Sequence, residues 1–407
     1  MLMRSGRCGI IVLVALCLGL HPGQAQIDPV KRELIQVGYN AAVEGHPPLS
    51  IYAFFYRNQP DFLDHTNLTL RLAVAPTYMD SELGIHGVLG EQTDLGIGLA
   101  GGGYGDSYYE IRQGQYLRNE SFDGYGAQVG LSLYHLFNPG MLIPLYGVLR
   151  GTVHYATYEA TSDTAGNFAV PDAQSIFHVR TGVRWGGREP TLYPSLAMEL
   201  SAWYEGQFRT EAEVYGFGDR RVEPHSHLFW GEAYLAYELP KWKHKFAINL
   251  TAGTSIDADR FSAYRLGGLL PLAAEFPLSL PGYYYQELSA KGYFLAGGNY
   301  IVPVSPNKRW NLDFTAATAY VDYLPGLEQP GHWNSGVGGG VFYTSPTWRV
   351  MVSYGYGLDA IRSGGRGANS IGFLLQFDLA PARQAFTKPQ PPGVWRGFQR
   401  FLGVLGS

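Results

Sequence analysis

The sequence predicts an all-β fold: a transmembrane antiparallel β-barrel with an even number of strands, about 14 to 16, of which 16 is favoured. Three observations support this prediction: an export signal at the N-terminus, apolar and polar residues that alternate along the chain, and connectors that are alternately short and long.

The composition of the chain agrees with the predicted barrel. Charged residues make up 16% of the 407-residue chain, against about 25% in soluble domains, yet the mean hydropathy is only -0.09. A barrel has such a composition because half of each strand faces a polar interior.

Residues 1–25 are predicted to be a secretory signal peptide. Arg4 and Arg7 give it a positive start, residues 10–20 are apolar, and the small residues Gly23 and Ala25 favour cleavage after Ala25. A membrane anchor is the alternative, but the apolar run is too short to cross about 30 Å of hydrocarbon. Export through the inner membrane is therefore expected.

Both cysteines, Cys8 and Cys17, lie within this signal, so the mature chain is expected to lack disulfides and cysteine metal sites. After Ala25 no apolar run reaches the length of about 18 residues that a transmembrane helix needs. If the chain enters a membrane, it must therefore form a closed barrel, because backbone polar groups in lipid need internal partners.

The strands are read from a period of two. In residues 198–209, Leu200, Tyr204 and Phe208 share one face, while Ser201 and Glu205 share the other. A helix would mix these sets. The same separation recurs in residues 145–155, 177–185, 246–253, 310–320, 348–359 and 371–379. Many such segments without an intervening helix predict an all-β meander.

The connectors give a second signal, because short and long ones alternate. Short turns are expected at 138–140, 188–190, 240–244, 305–308 and 345–346, and long loops at 105–121, 160–174, 210–224 and 324–332. Outer-membrane barrels have short periplasmic turns and long external loops. A soluble β-sandwich, the alternative all-β fold, gives no reason for this sorting. At least 14 strands are expected on this pattern, and two more could lie between residues 258 and 280.

The predicted barrel spans residues 49–380 and has a short segment on either side. Residues 26–48 are expected to be a short periplasmic segment, either an amphipathic helix or a plain leader, with no room for a periplasmic domain. Residues 381–407 are expected to form a proline-rich spacer and then an amphipathic tail, which lies on a membrane leaflet or is disordered. The apolar face of that tail would carry Trp395, Phe398, Leu402 and Leu405.

The last third of the sequence resembles the barrel of the bacterial surface antigen family, which includes outer-membrane assembly and translocation proteins. Residues 259–268 (DRFSAYRLGG) resemble the family's segment before its long sixth external loop, and residues 280–283 (LPGY) stand where that loop has its Arg-Gly-Phe/Tyr tip. Residues 292–303, 354–362 and 371–375 resemble family strands near the C-terminus. Two departures are visible: the family's periplasmic domains are absent, and no arginine stands at the loop tip.

The resemblance implies that residues 258–287 fold back into the barrel and plug its lumen. The segment is also long and apolar for a solvated surface loop. The plug residues would be Arg265, Leu266, Gly267, Gly268, Pro281, Gly282 and Tyr283. Arg265 would be the best candidate to pair with an inward carboxylate such as Glu232 or Asp313.

Charged residues occur on the strand faces that are predicted to line the lumen. They are Arg150, Arg180, Arg184, Glu199, Glu205, Glu232, Asp313 and Arg349, with Arg71 and Glu238 nearer the ends. Charges in a lumen could line an open pore or form an ion-pair network that closes it. The interspersed signs favour the network.

No chemical site is predicted. His225 and His227 alone are a weak metal signal, and Ser132 and His135 point to opposite faces of one strand, so they cannot form a catalytic pair. We therefore expect no enzyme activity, no metal and no cofactor. The net charge of -4 gives no support for nucleic-acid binding.

The expected location is the bacterial outer membrane, with lipid around the barrel and periplasmic or outer-membrane proteins as possible partners. The family resemblance implies a role in protein translocation or membrane assembly. A passive pore or a structural barrel is the alternative. Partner binding in the periplasm would support the first, and ion conductance of the intact protein would support the second.

Overall fold

The computed structural model describes residues 30–187, 194–270, 276–363 and 365–379. Over these residues the chain forms a closed antiparallel barrel of 16 strands, which confirms the predicted fold class and the favoured strand number. In chain order the strands are β1 Arg32–Ala42, β2 Ile51–Pro60, β3 Leu68–Val74, β4 Tyr78–Ile85, β5 Thr93–Gly103, β6 Phe122–Leu136, β7 Leu145–Ala160, β8 Gln174–Gly187, β9 Leu196–Arg209, β10 His225–Glu238, β11 Lys245–Ile256, β12 Leu288–Pro303, β13 Trp310–Tyr323, β14 Trp333–Thr344, β15 Trp348–Arg362 and β16 Gly365–Asp378. The predicted signal peptide and C-terminal tail lie outside the described residues.

The barrel closes between its first and last strands. Each strand pairs with the next along the chain, and β1 also pairs with β16 from Leu34 opposite Asp378 to Ala42 opposite Ser370. Closure leaves no open sheet edge, so the backbone groups along the barrel wall find partners without water.

The barrel begins earlier in the chain than the sequence predicted, because β1 lies inside the segment expected to be a leader. Ile35, Val37 and Tyr39 face outward on β1 and register with outward residues of β16. In so short a segment the same apolar residues fit both a helical and a strand period. The period alone therefore could not distinguish a helix from a strand.

The stretch from 258 to 280 also differs from one expectation, since it does not supply two barrel strands. Its described part contains one short strand, Tyr264–Leu266, which pairs with Leu288–Ala290 at the start of β12. The total of 16 is reached because the N-terminal quarter contributes β1 to β5.

The two faces of the wall have opposite chemistry. On β9, Leu200 is 54% exposed on the outer face, while its neighbour Ser201 is 4% exposed on the inner face. The same order holds around the barrel: large apolar side chains are exposed outside, and charged and polar ones are buried inside. A protein surrounded by water has the reverse distribution, whereas a lipid-facing barrel requires this one.

The connectors are sorted between the two ends of the barrel. One end, called the loop end here, carries connectors 43–50, 75–77, 104–121, 161–173, 210–224, 257–287, 324–332 and 363–364. The other, the turn end, carries 61–67, 86–92, 137–144, 188–195, 239–244, 304–309 and 345–347. Every connector that is longer than all of the turn-end connectors lies at the loop end, and the longest is 257–287.

The wall assignment can be tested with two adjacent residues of β11. Leu250 is exposed on the outer face and Asn249 lies on the inner face. We expect Leu250→Arg to reduce assembly, because a charge facing mid-membrane lipid costs about 2–4 kcal/mol, and Asn249→Arg to be tolerated. The measurement is the fraction of heat-modifiable, folded protein on gels. Equal losses in both variants would show that the faces are assigned wrongly.

Candidate functional site: the lumen and its internal loop

The inner wall carries the charges that the sequence placed in the lumen. The structure puts all of them on registers that alternate with exposed apolar residues, and Glu199, Glu205, Glu232 and Asp313 are buried. The strands that carry them are β7 for Arg150, β8 for Arg180 and Arg184, β9 for Glu199 and Glu205, β10 for Glu232, β13 for Asp313 and β15 for Arg349.

Four of these charges form two ion pairs on the wall between β8 and β9. Arg180 Nη2 lies 2.7 Å from Glu205 Oε2, and Arg184 Nε lies 3.0 Å from Glu199 Oε1. Arg150 donates hydrogen bonds to Ser132 and Tyr134 of β6, the preceding strand. Near the turn end, Arg71 contacts Glu82, and Glu238 contacts Lys243. Compensated pairs of this kind stiffen a wall and leave little net charge to attract ions of one sign.

Residues 257–287, called the internal loop here, connect β11 to β12 and begin with a buried ion pair. Arg209 of β9 donates from Nη1 to Asp259 Oδ2 at 2.9 Å, and both side chains are almost fully buried. The other oxygen of Asp259 accepts from the backbone N–H groups of Phe261 and Ser262. One carboxylate therefore holds the turn into the loop and fixes it to the inner wall.

The middle of the internal loop reaches the seam where β1 meets β16. The backbone N–H of Leu270 donates to Asn40 Oδ1 of β1 at 3.2 Å, and that of Gly282 donates to Ser370 Oγ of β16 at 3.1 Å. Asn40 and Ser370 are buried polar residues on the inner face. The loop thus leaves the wall at β11 and contacts the inside of strands several positions farther around the barrel.

Inward glycines give this part of the loop the space it needs. A Cβ atom on Gly355 would lie 2.9 Å from Gly282 N, and one on Gly372 would lie 2.9 Å from Leu270 Cγ. Gly282 itself has φ +84, and a Cβ there would collide with the backbone of Gly357. At Gly355 and Gly282 the contact is with backbone and excludes any larger residue, whereas at Gly372 it is with the Leu270 side chain.

The internal loop ends on a second buried ion pair. Arg362 of β15 makes two hydrogen bonds to Glu287, Nη1 to Oε1 at 2.8 Å and Nη2 to Oε2 at 2.9 Å. Its guanidinium also lies 3.6 Å from the centroid of the Tyr284 ring. This bidentate geometry is the strongest form of an arginine–carboxylate contact.

The remaining predicted loop residues all make interior contacts. Leu266 registers with Leu288 in the short strand, Gly267 N donates to Leu278 O, and Gly268 forms a bridge with Leu280. Nearer the tip, the Pro281 carbonyl lies against Gly336, and Tyr283 OH donates to Asn334 Oδ1 at 3.3 Å.

Arg265 does not pair with Glu232 or Asp313, so that expectation is wrong. Its Nη2 donates to Tyr109 O at 3.2 Å, and its guanidinium lies over the Tyr108 ring. The reason is the position of Arg265. The short strand holds this residue at the loop end, where its side chain reaches connector 104–121. The arginines that fix the loop stand on the wall, at Arg209 and Arg362. Their carboxylates, Asp259 and Glu287, stand on the loop.

Sequence reasoning missed these ion pairs. Arg362 was visible only as the end of a strand motif, and Glu287 only as the end of the loop. A carboxylate at the foot of an apolar loop is a signal for a buried partner, but nothing in one sequence says which arginine provides it.

A second cluster covers the lumen at the loop end. Connectors 104–121, 161–173 and 210–224 bring together a set of aromatic side chains, which Phe261 of the internal loop joins. The buried members are Tyr108, Phe122, Phe168 and Tyr215. Beside them Glu110 is fully buried and contacts the guanidinium groups of Arg112, Arg220 and Arg260. Four connectors are therefore held together as one cap.

Among the described residues no group of three or more His, Cys, Asp or Glu side chains could hold a metal ion. No helix in the described part of the chain is long and apolar enough to span a membrane.

Comparison with known proteins places the fold. No family model and no curated protein matches the sequence. Among solved structures the chain is similar to CdiB from Acinetobacter baumannii, with TM-score 0.57, 12% identity, and coverage of 88% of this chain and 64% of that one. It is similar to CdiB from Escherichia coli, with TM-score 0.56, 10% identity, and coverage of 84% and 63%. It is also similar to BamA from Haemophilus ducreyi lacking POTRA domains 1-3, with TM-score 0.52, 11% identity, and coverage of 85% and 70%.

The closed barrel, its apolar outer face and these likenesses define an outer-membrane β-barrel. The CdiB and BamA barrels among its solved neighbours are of the surface-antigen type. At these identities the likeness shows the fold alone, and the chain spans 64% of the Acinetobacter CdiB structure.

The cap makes the stability of the loop end dependent on pH. Burial raises the pKa of the Glu110 carboxyl, but Arg260 and Arg220 lower it more, so the pKa lies below its ordinary value of 4.5. A depressed carboxyl pKa adds stability above the ordinary value, and this stability is lost as the pH falls through the folded-state pKa. We expect Glu110→Gln to weaken the cap at neutral pH and to differ progressively less from wild type as the pH falls below 4.5.

The measurement is the rate at which a protease cleaves connector 104–121 between pH 3 and 7, roughly the range over which carboxylates titrate. The exposed Glu91→Gln, at the turn end, is the control. A constant difference between wild type and Glu110→Gln across that range would contradict the role given to Glu110.

Proposed function

We propose that this chain is a translocation or assembly barrel of the surface-antigen type, in which the internal loop is a displaceable plug. The observation that carries the proposal is the path of that loop: it starts at β11 and contacts the inner face of β1 and β14–β16. A 16-stranded barrel with an unfilled interior holds an aqueous channel. A loop that lies across such an interior obstructs it, as a barrel that opens only for a client requires.

The resemblance of residues 259–268 and 280–283 to the family's loop segment supports the same function independently of the contacts. So does the likeness to the CdiB and BamA barrels, as far as the fold goes. The paired wall charges leave little net charge to select ions. They therefore favour a route that opens for a client and not a permanently ion-selective pore.

Plugging is tested with two glycines at the loop end that have similar backbone angles. Gly282 has φ +84 and no room for a side chain, whereas Gly331 has φ +95 and nothing within 4 Å of its Cβ position. We expect Gly282→Val to raise single-channel conductance in planar bilayers several-fold, because the loop tip can no longer seat. Gly331→Val suffers the same backbone strain and should conduct like wild type.

Both variants must first show the heat-modifiable mobility of a folded barrel. Folded Gly282→Val with unchanged conductance would mean that the loop does not close the lumen. High conductance of the wild-type protein would favour the passive pore.

Translocation is tested by placing a photo-crosslinking amino acid at Asn249, on the inner wall, and at Ile248, on the outer wall of the same strand. We expect Asn249 to give adducts with pulse-labelled exported polypeptides that disappear during a chase, since a client passes through. Ile248 should give only lipid adducts. An absence of transient polypeptide adducts from Asn249 in growing cells would contradict transport through the lumen.

A further inference from the structure

Two tryptophans form a stacked pair on the inner wall. Trp203 of β9 and Trp230 of β10 are cross-strand partners, their ring centroids lie 6.2 Å apart, and their planes differ by 13°. On β8 the neighbouring inward residue is Gly182, where any side chain would overlap the Trp203 ring. The wall therefore leaves room for the pair to lie against it.

Phe276 of the internal loop covers this pair. The Phe276 ring meets both tryptophans edge-on, with centroids 5.3 Å from Trp203 and 5.4 Å from Trp230. Edge-to-face contacts of this kind select an aromatic ring over an aliphatic side chain of similar size. The pair thus has the geometry of a pocket for a third ring.

The Phe276 side chain contacts the two tryptophan rings but offers no hydrogen-bond acceptor to the polar atoms beside them. The indole N–H groups of Trp203 and Trp230 and the hydroxyl of Ser201 are buried, and none has a hydrogen-bond partner in the described part of the chain. These residues are only 5%, 9% and 4% exposed. All three groups can donate, and buried donors without acceptors are costly. An occupant that brought a ring together with hydrogen-bond acceptors would therefore fit better than Phe276 does.

The charges around the pair indicate that these acceptors are neutral. The guanidinium groups of Arg180 and Arg184 lie 5.6 Å and 5.2 Å from the centroids of the Trp230 and Trp203 rings. Both arginines are paired with carboxylates of β9. Little net charge is left to attract an anion, so uncharged carbonyl oxygens are the acceptors that fit. A peptide backbone provides them next to every side chain.

We infer that the Trp203–Trp230 pair is a binding site for an aromatic residue of an extended polypeptide, and that Phe276 occupies the site when no polypeptide is in the lumen. This rests on the proposed function, because a polypeptide must enter the barrel. Phe276 and the client ring then compete for one position, so binding of the client and displacement of the loop are a single equilibrium.

The test measures peptide affinity of the full-length protein in detergent micelles. The probes are two fluorescently labelled Gly/Ser/Thr peptides that are identical except for a central Phe or Leu. Phe276→Ala removes the competitor, and we expect it to bind the Phe peptide about tenfold tighter than wild type does, with a smaller gain for the Leu peptide. Adding Trp203→Leu to Phe276→Ala should abolish the gain. Phe314→Ala, which removes an outward ring, is the matched control and should behave like wild type.

Equal affinity of Phe276→Ala for the two peptides would overturn the inference, as would a gain that survives Trp203→Leu. Tighter binding of a soluble oligosaccharide in place of the Phe peptide would overturn the ligand class. If Phe276→Ala fails to fold by gel mobility, Phe276→Leu keeps an apolar contact and is tested in the same way. The conductance of Gly282→Val is independent of these results, so a failed peptide site is distinguishable from a failed plug.

Discussion

The closure of β1 onto β16 is the constraint on which the rest of the molecule depends. Lipid offers no hydrogen bonds, so each backbone group of the wall must find its partner in a neighbouring strand. The ladder from Leu34–Asp378 to Ala42–Ser370 supplies the last set of these partners. Sixteen strands joined in this way cannot collapse into a packed core, since a ring of that size encloses an interior that its own side chains do not fill. The wide lumen, its charged wall and the need for something inside it all follow from closure.

The wall and the internal loop are fitted to each other by residue size. Several inward positions on β14–β16 opposite the loop tip are glycines, whereas the facing positions on β8–β10 include arginines, glutamates and tryptophans. A flat glycine surface accepts backbone at close range, and a surface of long side chains does not. The described part of the loop therefore lies with backbone against the first surface and extends the ring of Phe276 to the second.

The sequence predicted the parts of this structure that obey a period, and it failed where partners are distant. Alternation identified β7, β8, β9, β11, β13, β15 and β16 because one face must be apolar toward lipid, as Leu200 and Ser201 show. It failed at β1, where eleven residues satisfied two periods and only pairing with β16 decides between them. The internal loop was expected inside the lumen from its apolar residues and its resemblance. The contacts of the loop were not predicted. The ion pairs Arg209–Asp259 and Arg362–Glu287 join positions that no local sequence pattern connects.

The two kinds of contact along the internal loop divide it into fixed ends and a releasable middle. Both feet are held by buried ion pairs, and removing one partner from such a pair costs about 3–5 kcal/mol because the other charge stays buried. The described residues of the middle, 268–270 and 276–282, are held by neutral hydrogen bonds to Asn40 and Ser370, by a longer contact from Arg362 Nη2 to Gly282 O at 3.4 Å, and by apolar contacts. A neutral hydrogen bond contributes only about 1 kcal/mol net, and its partners can turn to water or to a client when the loop leaves. Motion that keeps Asp259 and Glu287 in place while the middle withdraws is thus the least costly way to open the lumen, and it uncovers the tryptophan pair and the inner face of the β1–β16 seam in the same step.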